Sequence, residues 1–102
     1  MIHYVLLKFE PDSFTNEVFE FAKQTYTELM NQAQFIRNIH VEKNCVVRNE
    51  NMDIMIELEM TDRNSLELYL GHTLHKQFTD VVDDHVVKRV SFDYMTDHEK
   101  II

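Results

Sequence analysis

The chain has 102 residues, of which 44% are hydrophobic and 27% are charged, and its formal net charge is −8. This length and composition suit one globular domain and exclude disorder as the main state. The acidic balance argues against nucleic acid as a partner, because phosphate binding needs a basic surface. A membrane partner is equally unexpected, because the sequence has neither a basic amphipathic helix nor a long apolar run.

The first half of the chain predicts a strand, a helix and a second strand. Residues 2–9 alternate without a helical period and are apolar on both sides, which indicates a strand buried on both faces. A break follows, in which Asp12 or Ser13 is the expected N-cap. Apolar residues then recur at helical spacing to about Gln32. Residues 36–47 alternate again and predict a strand with one polar face.

The second half repeats this layout in the order strand, helix, strand. Residues 53–60 place isoleucine, leucine and Met60 on one face and Met55 with two glutamates on the other. Thr61 or Asp62 is the expected cap of a helical region that reaches about Val82, and Gly71 is expected to divide that region. Residues 86–94 predict the last strand.

The element order predicts an α+β, ferredoxin-like βαββαβ fold, with a four-stranded antiparallel sheet and both helices on one face. We expect one domain over residues 1–95 and a tail over residues 96–102. The helices can cover only one side of a sheet that is apolar on both. The uncovered side, here called the helix-free face, carries Ile2, Tyr4, Leu6, Met55, Val90 and Phe92. Because so large an apolar patch is unfavourable on a monomer, we predict a homodimer in which two sheets face each other.

Candidate chemistry concentrates where Tyr69, His72 and His75 follow one another at intervals of three residues. Such residues can share a helix face. His3 is the one polar residue on the odd-numbered side of the first strand, which we expect to lie beneath the helices. One imidazole would act as a general base, and a phenol or second imidazole would polarise an oxygen. The expected apolar walls of this pocket are Val5, Leu7, Ile56 and Phe78.

Structural roles are the alternative for these residues, because a histidine at the start of a helix often caps it. Zinc on His3, His72 and His75 is conceivable, but their spacing without a carboxylate is a weak signal. We therefore expect no metal and no cofactor. The single cysteine, Cys45, cannot form an internal disulfide and is expected to pack beside Ile39 and Val41. With no signal peptide in view, this cysteine usage predicts a cytoplasmic location.

Four segments together resemble the stress-responsive α/β-barrel domain family: residues 3–9, 36–39, 72–78 and 89–94. The resemblance spans residues 2–94 and implies a dimeric barrel with a cavity beneath the helices. The family includes a plant polyketide cyclase that closes a ring by aldol condensation without a metal. The resemblance implies an acid/base role for His75, a supporting role for Tyr69 and a pocket position for His3, with His72 also matched.

The chain departs from that cyclase at Arg89 and Ser91, which occupy positions that are apolar there. A cation at Arg89 would suit a carboxylate or an enolate in the pocket. Three hypotheses follow. The protein is an enzyme of proton-transfer chemistry that needs no cofactor, a stress-associated binding protein without catalysis, or a cofactor-independent monooxygenase, the last by fold analogy alone.

Overall fold

Alternating apolar side chains build the sheet as predicted. The computed structural model describes residues 1–96, in which the strands are β1 (Ile2–Phe9), β2 (Ile36–Lys43), β3 (Ile54–Met60) and β4 (Val86–Tyr94). The strands lie in the order β2-β3-β1-β4, and every neighbouring pair is antiparallel. The sheet therefore has the predicted ferredoxin-like topology. The predicted tail lies, apart from Thr96, outside the described residues.

Three helices cover one side of this sheet: α1 (Asn16–Gln32), α2 (Ser65–Leu70) and α3 (Thr73–Val82). The predicted break at Gly71 is confirmed, since α2 ends there and α3 begins two residues later. The core between helices and sheet includes Leu7, Leu29 and Leu58, which are fully buried. Within the described residues, no helix has the length and apolar character needed to cross a bilayer.

The start of α1 differs from the prediction. Thr15 is the N-cap, and its side-chain oxygen accepts a hydrogen bond from the Val18 N–H at 3.3 Å. Asp12 instead adopts a left-handed backbone conformation, with φ of 64°. Asp and Asn tolerate this conformation better than most residues. The turn therefore uses Asp12 and Ser13 before the helix begins, and the predicted caps were wrong.

The second helical region also begins later than predicted. Asn64 occupies the N-cap position of α2 and makes no side-chain capping bond. The Asp62 carboxylate nevertheless accepts from the Ser65 N–H at 3.1 Å. Asp62 therefore satisfies a first-turn N–H, as a cap does, although it lies outside the helix.

The end of β2 is also earlier than predicted. The side chain of Asn44 accepts from the backbone N–H of Val46 at 3.1 Å and donates to the Val46 carbonyl. These local bonds turn the chain away from the sheet after Lys43. Cys45 consequently follows the strand and is exposed. The prediction that Cys45 packs beside Ile39 and Val41 was wrong.

The helix-free face has the expected composition on β1 and β4. Phe92 is 64% exposed, and Val90 is also exposed, whereas Tyr4 and Leu6 are partly covered by their neighbours. Ile2 departs from the prediction, because it is buried within the protomer itself. Toward β3 the same face becomes acidic, since Glu57 pairs with Tyr4 and Glu59 pairs with Ile2. The exposed apolar area is therefore concentrated on β4.

Candidate active site

A cavity of about 250 Å³ lies between the sheet and the helices. The predicted apolar residues Val5, Leu7, Ile56 and Phe78 all line it. Its polar lining comprises His3, Tyr26, Tyr69, His75, Thr79, Arg89, Ser91 and Asp93. The volume lies just below the usual range of ligand pockets, roughly 300–1,000 Å³. The cavity therefore suits a single small molecule.

His3 reaches the cavity from β1 and is only 5% exposed. Strand pairing places it directly opposite Asp93 on β4, and its Nδ1 is hydrogen-bonded to the Asp93 carboxylate. Because an ionised carboxylate can only accept, Nδ1 carries the hydrogen of this bond. The contact fixes the orientation of the ring and leaves Nε2 for a second partner. Asp93 therefore positions His3.

His75 lies in the first turn of α3, just beyond the break at Gly71. Its Nδ1 is 3.1 Å from the carbonyl oxygen of Leu70, near the end of α2. A carbonyl also only accepts, so Nδ1 donates and Nε2 is the basic nitrogen of the neutral ring. Burial lowers the pKa of His75 below its usual value; the Leu70 hydrogen bond opposes this shift, and the nearby Arg89 cation adds to it. The ring is therefore neutral at neutral pH.

Two buried hydroxyl groups meet beside these imidazoles. The side-chain oxygens of Tyr69 on α2 and Tyr26 on α1 are 2.6 Å apart. Burial raises the pKa of Tyr69 to about 12, against the opposing effects of the Tyr26 hydrogen bond and the Arg89 cation. Burial also raises the pKa of Tyr26 well above its usual value. Both phenols therefore stay protonated at neutral pH and can serve as hydrogen-bond donors.

The structure brings the three predicted catalytic residues into one cluster. The ring centroid of Tyr69 is 4.5 Å from that of His75 and 5.7 Å from that of His3. Tyr26 and Asp93 complete the cluster, although sequence reasoning gave neither of them a role in the chemistry. Tyr26 is one of several apolar or aromatic residues at helical spacing in α1, and no local signal separates it from core residues.

His72 does not join this cluster. It is the N-cap of α3, where its Nδ1 accepts a hydrogen bond from the Leu74 N–H at 3.1 Å. His72 is not among the residues that line the cavity. His72 therefore has the structural role of a helix cap, which was the alternative to a role in the site. It lies apart from the other residues that were predicted to bind a ligand.

Arg89 does line the cavity, from the helix-facing side of β4. Its Nη2 donates to the carboxylate of Asp83, in the short 3-10 turn before the strand. Within residues 1–96, no three His, Cys, Asp or Glu side chains lie close enough to hold a metal ion together. The titratable groups of the cavity lining are thus two imidazoles, two phenols, the Asp93 carboxylate and one guanidinium.

A four-stranded antiparallel sheet, covered on one side by helices with a polar-rimmed cavity between the layers, defines a ferredoxin-like α+β barrel subunit. The chain belongs to the family described as the Stress responsive A/B Barrel Domain, whose sequence profile matches residues 1–96. The family resemblance of the sequence is thereby confirmed. No curated protein matches the chain in sequence.

Solved structures share this fold at low sequence identity. A dimeric ferredoxin-like protein of unknown function from Bacteroides fragilis is 23% identical, with a TM-score of 0.80 over 93% of this chain and 94% of that one. The hydroxynitrile lyase from Passiflora edulis is 12% identical, with a TM-score of 0.75 over 94% and 92%. A candidate antibiotic biosynthesis monooxygenase from Bacteroides thetaiotaomicron is 11% identical, with a TM-score of 0.76 over 95% and 89%. At such low identities, these TM-scores show a common fold only. The reaction has to be inferred from the residues of the site.

Proposed function

We propose that the protein is a homodimer whose cavity binds a small carbonyl compound and transfers a proton at the carbon beside the carbonyl, with its own side chains as acid and base. One observation carries the proposal. His3 and His75 are both anchored through Nδ1 beside the same cavity, one by a carboxylate and one by a backbone carbonyl. Because this anchoring fixes the tautomer and the orientation of each ring, Nε2 is the nitrogen that is left to interact with a bound molecule.

His75 is the general base in this proposal. Its neutral Nε2 takes the proton from the α-carbon, so that the C–H bond breaks, an N–H bond forms and the electron pair moves onto the carbonyl oxygen as an enolate. The same nitrogen then returns a proton to carbon. The lowered pKa of His75 supports this role, because it keeps the ring unprotonated at neutral pH.

Tyr69 holds the oxygen on which negative charge develops, whereas His3, whose hydrogen is on Nδ1, can only accept a hydrogen bond at Nε2. The Tyr69 phenol stays protonated and can donate a hydrogen bond to that oxygen. The Tyr26 hydroxyl is hydrogen-bonded to the Tyr69 hydroxyl and fixes its position. A preorganised donor in a buried site stabilises an enolate more than water does. His3, held by Asp93, contacts the bound molecule through Nε2. The apolar residues Val5 and Phe78 would surround the rest of the molecule.

The dimer in this proposal forms through the helix-free face. The exposed side chains of Val90 and Phe92 support this contact, because covering apolar surface stabilises an assembly by about 25 cal/mol per Å². The dimeric state of the structurally similar protein from Bacteroides fragilis points the same way. The cavity lies on the opposite side of the sheet, so a dimer would leave each site accessible.

Deuterium exchange into a small aryl ketone tests the proposed reaction. With propiophenone in D₂O, we expect the protein to accelerate loss of the α-proton signal above the buffer rate, as measured by proton NMR. Because only neutral His75 accepts a proton, the rate should rise with pH, with an inflection below the ordinary histidine pKa of about 6.5. It should then stay level until the Tyr69 phenol ionises.

Two results would contradict this reaction. Binding of propiophenone without accelerated exchange would favour the non-catalytic binding protein. Oxygen uptake with an activated phenol, again without exchange, would favour the monooxygenase. The matched control is His85→Gln, because His85 is an exposed histidine paired with Glu10 outside the cavity. This variant should exchange at the wild-type rate.

A further inference from the structure

Arg89 places a positive charge at the rim of the cavity. Of the described residues that line the cavity, Arg89 alone carries a fixed positive charge. Its side chain is 41% exposed, and strand pairing puts it opposite Leu7 of the apolar lining. Its partner, Asp83, is not among the lining residues. Arg89 therefore lies at the rim: its side chain lines the cavity, while its guanidinium is hydrogen-bonded to a carboxylate that does not.

The positive charge of Arg89 contrasts with the acidic character of the chain as a whole. The formal net charge of −8 repels anions over most of the surface. At the cavity, Arg89 is the one fixed cation of the described lining that can attract an anion, and the one carboxylate of that lining, Asp93, is hydrogen-bonded to His3. A guanidinium has five N–H donors in a planar fork, and the fork matches the two oxygens of a carboxylate. A phosphate would also attract the fork, but the small, largely apolar cavity favours a guest with a flat apolar body.

We propose that Arg89 is a specificity-determining residue, which selects carbonyl compounds that also carry a carboxylate. The inference rests on the proposed function, because it assumes that the cavity binds a small carbonyl compound. The carboxylate of the guest replaces Asp83 as the partner of Arg89, while the apolar body of the guest packs against Leu7 and Phe78. One carboxylate is exchanged for another, so the guanidinium is never left without a partner.

The position of Arg89 also connects guest binding to the reacting groups. The positive charge acts on Tyr26, Tyr69 and His75, and in each case lowers the pKa of the side chain. Arg89 therefore lies close enough to these side chains to act on them electrostatically, although Asp83 opposes its effect on His75. A carboxylate held at the rim would place the carbonyl of an aromatic or β-keto acid toward the tyrosine pair.

Benzoate and benzamide form a matched pair of probes, because they have nearly the same shape and differ in charge. We expect the wild-type protein to bind benzoate about tenfold or more tightly than benzamide at matched ionic strength, as measured by NMR titration. Arg89→Met should reduce this preference to about one, chiefly through weaker binding of benzoate. Arg37→Met is the control, since Arg37 is an exposed arginine on the far edge strand and its loss should leave the preference intact.

A second variant tests the exchange of partners in the opposite direction. Asp83→Asn removes the competing carboxylate, so benzoate should bind more tightly than to wild type, provided that both variants melt near the wild-type temperature. Equal binding of the two probes to wild type, with the His75 signal shifted by both, would overturn the inference and leave the proposed binding function standing. A preference that survives in Arg89→Met, or weaker benzoate binding in Asp83→Asn, would also overturn it. Failure of both probes to enter the cavity would overturn the inference and the binding function together.

Discussion

Replacing His75 with glutamine is expected to slow the protein-catalysed α-proton exchange of propiophenone by about 100-fold or more, because a positioned general base contributes roughly 10²–10⁴. Glutamine can keep the hydrogen bond to the Leu70 carbonyl with its amide group, but it has no basic nitrogen. The loss should therefore appear in the maximal rate, with little change in ketone affinity. The measurement is the exchange rate as a function of ketone concentration, for the variant and for the His85→Gln control.

The pH profile separates loss of a base from loss of structure. In wild type the rate should fall as His75 becomes protonated below its lowered pKa. In His75→Gln the residual rate should lack this inflection, because the titrating group is gone. A variant that exchanges at the wild-type rate, with the wild-type inflection, would show that His75 is not the base.

Phe92→Glu is expected to convert the proposed dimer into monomers at micromolar concentration. Phe92 is 64% exposed in the single chain, and a two-fold interface would bury one copy from each protomer. Burial of a phenylalanine side chain is worth about 1.5–3 kcal/mol, so loss of both copies should weaken the dimer about 10²–10⁴-fold. The charge of glutamate would add to this effect. Sedimentation equilibrium measures it, because the wild-type mass should be twice the 12.3 kDa of the chain.

Leu68→Glu is the matched control for that interface. Leu68 is 58% exposed, but it lies on α2, away from the helix-free face. The same substitution there should leave the dimer intact. A wild-type protein that sediments as a monomer, or a Phe92→Glu variant that remains a dimer, would contradict an assembly through the helix-free face.

The regular elements of the fold could be predicted because their signals are periodic. Alternation in residues 2–9 and 86–94 is sustained over whole strands, and it matches the observed β1 and β4. Element boundaries depended on hydrogen bonds that periodicity does not reveal. Asn44 ends β2 through a local contact with Val46, and Thr15 caps α1 because Asp12 turns the chain first.

The candidate site could be predicted only in part, because some of its hydrogen-bond partners are distant in the sequence. His3 could be assigned to the cavity because it interrupts an apolar strand face, and His75 and Tyr69 follow each other at helical spacing. Their supporting partners come from distant parts of the chain. Asp93 is 90 residues from His3, and Tyr26 is 43 residues from Tyr69. No turn joins β1 to β4, so the sequence does not fix the register that brings Asp93 opposite His3.

The central claim is that His3 and His75 share one cavity that binds a small carbonyl compound. Titration of the isotope-labelled histidine side chains with propiophenone, followed by NMR, tests it most directly. The signals of His3 and His75 should shift together with a single half-saturation concentration, while those of His40 and His85, which lie outside the cavity, should stay in place. Separate half-saturation concentrations for His3 and His75, or shifts confined to the outer histidines, would contradict it.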